Sequence, residues 1–132
     1  MKTYLLDTMT ILWMGFEPEK VGKKAAALIE GNNARILYSI TSLWEIGIKM
    51  GGRGYRDFFL PEDWHRLIAE GFTVQGIEEL QILPGHCRRV QDLPAHHKDP
   101  FDRMLIAQAL EGGLEVIGCD RQFDAYGVRR VW

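Results

Sequence analysis

Short apolar runs that end in an acid alternate along this chain with stretches whose apolar positions recur every three or four residues. "TYLLD" and "LEVIGCD" read as buried strands closed by carboxylates, Asp7 and Asp120. "ARILYSI" and "FTVQGI" read as strands as well, and "VRRVW" as a short edge strand whose arginines discourage further pairing. "PEKVGKKAAALIEG" is predicted helical and closed by Gly31, and "TSLWEIGIKMGG" helical, with Ser42 as its cap and Gly51 and Gly52 at its end. "RGYRDFF" reads as an irregular basic and aromatic loop, and "PEDWHRLIAEG" as a helix begun by Pro61. "EELQILPGHCRRVQDL" is predicted helical with a break at Pro84 and Gly85, and the apolar run after Asp99 and Pro100 forms a further helix. Strands alternating with helices predict an α/β domain whose mainly parallel sheet is covered on both faces.

In open α/β sheets ligands gather at the carboxyl ends of the strands, where Asp7 and Asp120 would sit. A third acid lies on the helix after Pro100. There Arg103, Gln108 and Glu111 fall within an arc of about 140° that marks the solvent side. Asp102 lies outside that arc, with Leu105, Ile106 and Ala109 at i+3, i+4 and i+7. Asp99 suits the N-cap and Asp102 at N3 could complement it, so cap and site both stay open for Asp102. Glu45 and Lys49 are spaced i, i+4, which fits a solvated pair; Glu45 also opens a helix leaving the same sheet edge. Four carboxylates in one cleft repel strongly unless some are protonated or a hard cation joins them. Oxygen ligands suit Mg²⁺ or Mn²⁺ rather than zinc, and such a centre serves phosphodiester hydrolysis.

Composition narrows the class without deciding it. With 132 residues, 46% hydrophobic and 26% charged, one domain spanning 1–132 is expected. No apolar run approaches a bilayer span, and Asp7 interrupts the N-terminal one before any cleavage site, so a cytoplasmic protein without a membrane segment is expected. A net charge of −2 argues against coating nucleic acid through bulk charge but leaves a local patch open. Cys87 and Cys119 have neither a C-x-x-C nor a zinc spacing and read as reduced, partly buried structural residues. Trp13, Trp44 and Trp64 are assigned to core or interface. Arg53, Arg56, Arg88, Arg89, Arg103 and Arg121 could position phosphates, with Tyr55 or Phe58 stacking on an unpaired base. The adjacent His96 and His97 diverge and are read as structural.

Four segments then fall into one pattern: "YLLDT" with the "LW" after it, "SLWEIGIKM", "DPFDRMLIAQA" preceded by "LPAHHK", and "CDRQFDAYGVRRVW". In this order, over essentially the whole chain, they resemble the PIN-domain ribonucleases, specifically the VapC-type toxins of toxin-antitoxin pairs. The resemblance implies a PIN-like three-layer α/β/α sandwich. It implies an acidic quartet, Asp7, Glu45, Asp102 and Asp120, that holds Mg²⁺ or Mn²⁺, with Asp99 as a neighbouring acid. It further implies endoribonuclease activity, an RNA substrate near Arg103 and Arg121, a homodimer, and a VapB-type antitoxin lying across the groove. Two positions depart: Met9 stands where many relatives have histidine, and Gly118 where they often have threonine or serine. These departures leave open a PIN-like module that binds RNA or protein without cutting. A receiver-like phosphoacceptor would also place an acid after the first strand, but no second acid stands beside Asp7.

Overall fold

The computed structural model describes residues 1–132. Five strands, β1 (Lys2–Leu6), β2 (Ala34–Ser39), β3 (Glu78–Leu80), β4 (Glu115–Ile117) and β5 (Arg130–Val131), form one sheet of order β3-β2-β1-β4-β5, every pair parallel. Alternation along the two central strands supplies both cores. Tyr4, Leu6, Ile36 and Tyr38 face one side, where they pack with α1 (Thr8–Phe16), α2 (Lys23–Glu30), α3 (Ile40–Met50) and α4 (Trp64–Gln75). Leu5, Leu37 and Val116 face the other, where Leu105, Ile106 and Ala109 of α6 (Pro100–Gly112) cover them and Phe123 and Tyr126 close the edge. Helix α5 (Pro84–Asp92) lies beside α6 on that face and contributes Val90. Burial on both faces gives the near-continuous apolar strands of a parallel sheet and the expected α/β/α sandwich.

One element is new and two predicted ones are placed differently. "TMTILWMGF", for which no helix was expected, is α1: Asp7 caps it by accepting from the Thr10 N–H at 2.8 Å. "FTVQ" belongs to α4, which runs on until Gly76 adopts a left-handed φ of 74° and stops it. The strand follows, at Glu78–Leu80, where a helix was expected; its outer edge position leaves Glu78 and Glu79 exposed and hides the alternation. The cap of α3 is Ser39, which accepts from the Thr41 N–H at 3.0 Å, rather than Ser42.

Gln108 corrects the reading of α6. Instead of marking the solvent side it is wholly buried. Its Oε1 accepts from the Ser39 hydroxyl at 2.6 Å, and its Nε2 donates to the Gln81 carbonyl at 3.2 Å. The amide thereby joins the start of α3 to α6 beneath the carboxyl edge of the sheet, with each buried polar atom partnered. Cys87 and Cys119 are free as expected, but both are exposed.

Candidate functional site

The chain changes direction across the sheet between β1 and β4, a point where α/β folds leave a crevice beyond the strand ends. Asp7 follows β1 and Gly118 follows β4, tied together by the Asp7 N–H donating to the Ile117 carbonyl at 3.0 Å. Asp120 stands two residues on and caps the 3-10 turn Arg121–Tyr126 through the Gln122 N–H at 2.9 Å. Asp102 enters from the first turn of α6, whose cap is Asp99: the Asp99 Oδ1 accepts from the N–H groups of Phe101 and Asp102 at 2.9 and 3.0 Å. Cap and crevice acid are therefore different residues.

Glu45 is only 5% exposed, so the solvated-pair reading does not hold even though Lys49 does reach its Oε2 at 2.6 Å. Its Oε1 accepts from the Thr8 hydroxyl at 2.8 Å, and Ser42 lies 3.0 Å from that same hydroxyl. Thr8 and Ser42 thus hold Glu45 toward the start of α1.

Asp102 and Asp120 each bring an oxygen within 4.8 Å of the other, and Asp7 and Glu45 stand near enough for repulsion to act between them and Asp102. Burial pushes the Asp7 carboxyl up from 3.8 to about 6, against the lowering effect of the Thr10 hydroxyl and N–H; Asp102 and Asp120 add repulsion. Burial likewise lifts Asp102 to about 6, with Asp99 and Glu45 adding to the rise and the hydrogen bond from His97 opposing it. Asp7 has hydrogen-bond donors but no cation. Its rise corresponds to roughly 3 kcal/mol against holding the charged form. A buried anion kept at that cost, among three further carboxylates, fits a hard divalent cation, and the donor set is the oxygen-rich one that Mg²⁺ and Mn²⁺ take.

A pH dependence follows from these two raised values. In the unfolded chain both acids ionise near 3.8; in the folded chain they hold their protons to about 6. The folded state therefore binds more protons across that window, and stability falls as pH rises through it. Asp63, Glu78 and Asp124, held low by Arg66, Arg35 and Arg130, are ionised in both states above pH 5 and do not oppose the trend. Metal-stripped protein in chelator is expected to lose about 1 kcal/mol per raised carboxyl between pH 5 and pH 7, read as a lower urea midpoint.

Two expectations for the surroundings are revised. Arg103, assigned to the substrate, spends its guanidinium on the fold: it donates to the Pro94 carbonyl at 2.9 Å and to the carbonyls of Val90, Leu93 and His97 and the Tyr126 hydroxyl at 3.3 Å each. Arg121 is exposed beside Asp120. Tyr55 and Phe58 stack on each other at 5.1 Å, Arg88 pairs with Asp92, and Arg89 with Glu111, which leaves Arg53 and Arg56 as the exposed arginines of the α3–α4 loop. Trp64 packs on the first core and Trp13 lies against Trp132 at 5.6 Å, but Trp44 is 55% exposed, edge-on to Phe101 at 4.9 Å. His97, read as structural, enters the crevice: its Nε2 lies 2.7 Å from the Asp102 Oδ2.

The sequence model of the PIN domain matches residues 4–128, nearly the whole chain and every residue of the crevice. The chain belongs to the PIN-domain family. Solved structures share the fold at low identity. The DNA-bound VapBC of Salmonella typhimurium matches this PIN domain with a TM-score of 0.66 and 21% identity, covering 99% of this chain and 98% of that one. VapBC2 of Rickettsia felis, bound to a promoter DNA fragment, gives 0.69 and 11% over 98% and 97%. VapBC-5 of Mycobacterium tuberculosis, a member of the VapBC family of toxin-antitoxin systems, gives 0.59 and 17% over 99% and 98%. Among curated protein sequences none matches this PIN domain.

Proposed function

We propose that this PIN domain is a divalent-cation-dependent endoribonuclease and the toxin of a VapC-type toxin-antitoxin pair. The observation that carries the reading is that Asp102 and Asp120 meet beyond the strand ends at the sheet's switch point, with Asp7 and Glu45 near enough to share their repulsion, and that the raised Asp7 and Asp102 carboxyls carry a cost a bound cation would relieve. The VapBC complexes that share the fold support a VapB-type protein partner; a homodimer and a cytoplasmic setting belong to the same proposal on the resemblance of the sequence alone. RNA as the substrate rests on the resemblance of the four sequence segments.

In this reading the four acids hold Mg²⁺ or Mn²⁺, which would supply charge for the phosphate oxygens and a more acidic water for in-line attack. The protein contributes orientation. Thr8 fixes the Glu45 Oε1, Thr10 fixes the Asp7 Oδ1, and Asp99 fixes the first turn of α6 so that Asp102 projects into the crevice. One of the four carboxylates would also assist deprotonation of the attacking water. Exposed Arg121 stands next to Asp120, where it can meet a neighbouring phosphate.

Purified protein freed of any partner should cut a pool of structured RNAs with Mg²⁺ or Mn²⁺ and stop cutting in chelator. Asp102→Ala, carried through the same purification, should be slower by about a thousandfold or more. RNA binding with no cutting under either cation would move the assignment to a non-cutting module.

A further inference from the structure

We infer that His97 is itself a ligand of the divalent cation, so that the centre is a mixed nitrogen and oxygen site built from His97, Asp102 and Asp120 together with the other acids. The inference rests on the cation-site reading above and extends it to a residue outside the acidic quartet.

Geometry comes first. One ligand atom each from His97, Asp102 and Asp120 lies within 4.8 Å of the other two, and the His97 Nε2 is 2.7 Å from the Asp102 Oδ2. Ligands about 2.1 Å from an octahedral cation stand about 3 Å apart when adjacent and about 4.2 Å when opposite, so one cation can join all three with small side-chain shifts.

The imidazole is also held where it is. The His97 N–H donates to the hydroxyl of the buried Tyr126 at 2.8 Å, and its carbonyl accepts from Arg103 at 3.3 Å. The further Arg103 bonds to the Val90, Leu93 and Pro94 carbonyls pin the segment leading into it. His96, one residue earlier, turns away and places its ring edge-on against Tyr126 at 5.1 Å, exposed to solvent. A main chain bonded on both sides of one histidine is a costly way to position a side chain that only fills space; it suits a side chain that must meet something in the crevice.

Chemistry then sets the consequence. With the proton on Nδ1, the Nε2 presents a lone pair to the crevice. Imidazole nitrogen favours first-row transition ions, whereas Mg²⁺ prefers oxygen and water. The centre should therefore discriminate for Mn²⁺ over Mg²⁺ more strongly than four carboxylates alone.

Pulsed electron paramagnetic resonance on the Mn²⁺-loaded protein tests this without reference to activity. Wild type and His96→Gln should show modulation from a directly bound ¹⁴N nucleus, and His97→Gln should lack it. His97→Gln should also weaken Mn²⁺ binding by about tenfold or more while changing Mg²⁺ binding by less than about threefold. Circular dichroism of His97→Gln should match wild type. Bound Mn²⁺ without nitrogen coupling in wild type would overturn the inference and leave His97 as a hydrogen-bond partner of Asp102, with the cation site intact. No Mn²⁺ binding by wild type would overturn the cation-site reading itself.

Discussion

Asp7→Asn is expected to give a protein that is more stable than wild type in chelator and inactive on RNA. The amide keeps the shape of the carboxyl, and its oxygen still accepts from the Thr10 N–H and hydroxyl, bonds of 2.8 and 2.6 Å that cap α1; asparagine caps helices as well as aspartate does. What disappears is a charge buried at 6% exposure with no cation beside it and two other acids repelling it. At pH 7 that relief is worth about 3 kcal/mol, a rise in Tm of several degrees for a domain of this size. The lost ligand should cost RNA cleavage about three orders of magnitude or more, and added Mn²⁺ should no longer raise the Tm. A destabilised Asp7→Asn would mean that the charge at position 7 is compensated within the fold and that the strain argument is wrong.

Gly118→Thr should disable the protein, although the resemblance to relatives with threonine or serine there points to a harmless or restoring change. A Cβ at position 118 would stand 2.6 Å from the Asp7 Cγ, inside any allowed contact, and a tight 3.2 Å from its Cβ. Neither side can yield cheaply. The Gly118 N–H donates to the Val131 carbonyl at 3.1 Å and its carbonyl accepts from Arg130 at 3.1 Å, while Asp7 is pinned by Thr10. Even Gly118→Ala should lower stability by about 1–3 kcal/mol, and RNA cleavage about a hundredfold, as the carboxylate is forced off its position. Urea unfolding and RNA cleavage read the two effects. Unchanged cleavage by Gly118→Ala would show that the Asp7 carboxylate need not stand where it does. The glycine therefore gives no support to a non-cutting module: its missing side chain is the space that Asp7 occupies.

The alternation of apolar runs and helical patterns made the parallel sheet legible, because strands covered on both faces must be apolar throughout. Asp7 and Asp120 were legible for the same reason: an acid that ends such a run stands at the strand's carboxyl end. Asp99 as the cap of α6 follows from local chemistry alone, and the structure bears it out. Long-range packing hid the rest. Gln108 lies on the polar arc of α6 by periodicity, yet Ser39 and the segment around Gln81 cover that side and give its amide partners. Helix α1 follows Asp7 without a break in apolar character, so period alone could not separate it from β1. Strand β3 lasts three residues at the sheet's rim, too short to show alternation. Which of two adjacent histidines turns inward depends on Tyr126, about thirty residues away in the chain, and no local pattern carries that information.

The claim beneath these expectations is that the buried acids at the switch point are balanced by a divalent cation. Calorimetric titration of Mn²⁺ into metal-stripped wild type at pH 7, with Asp7→Asn alongside, tests it most directly. A saturable site in wild type that is absent or far weaker in Asp7→Asn is the expected result. Equal heats from both proteins, or none from wild type, would contradict it.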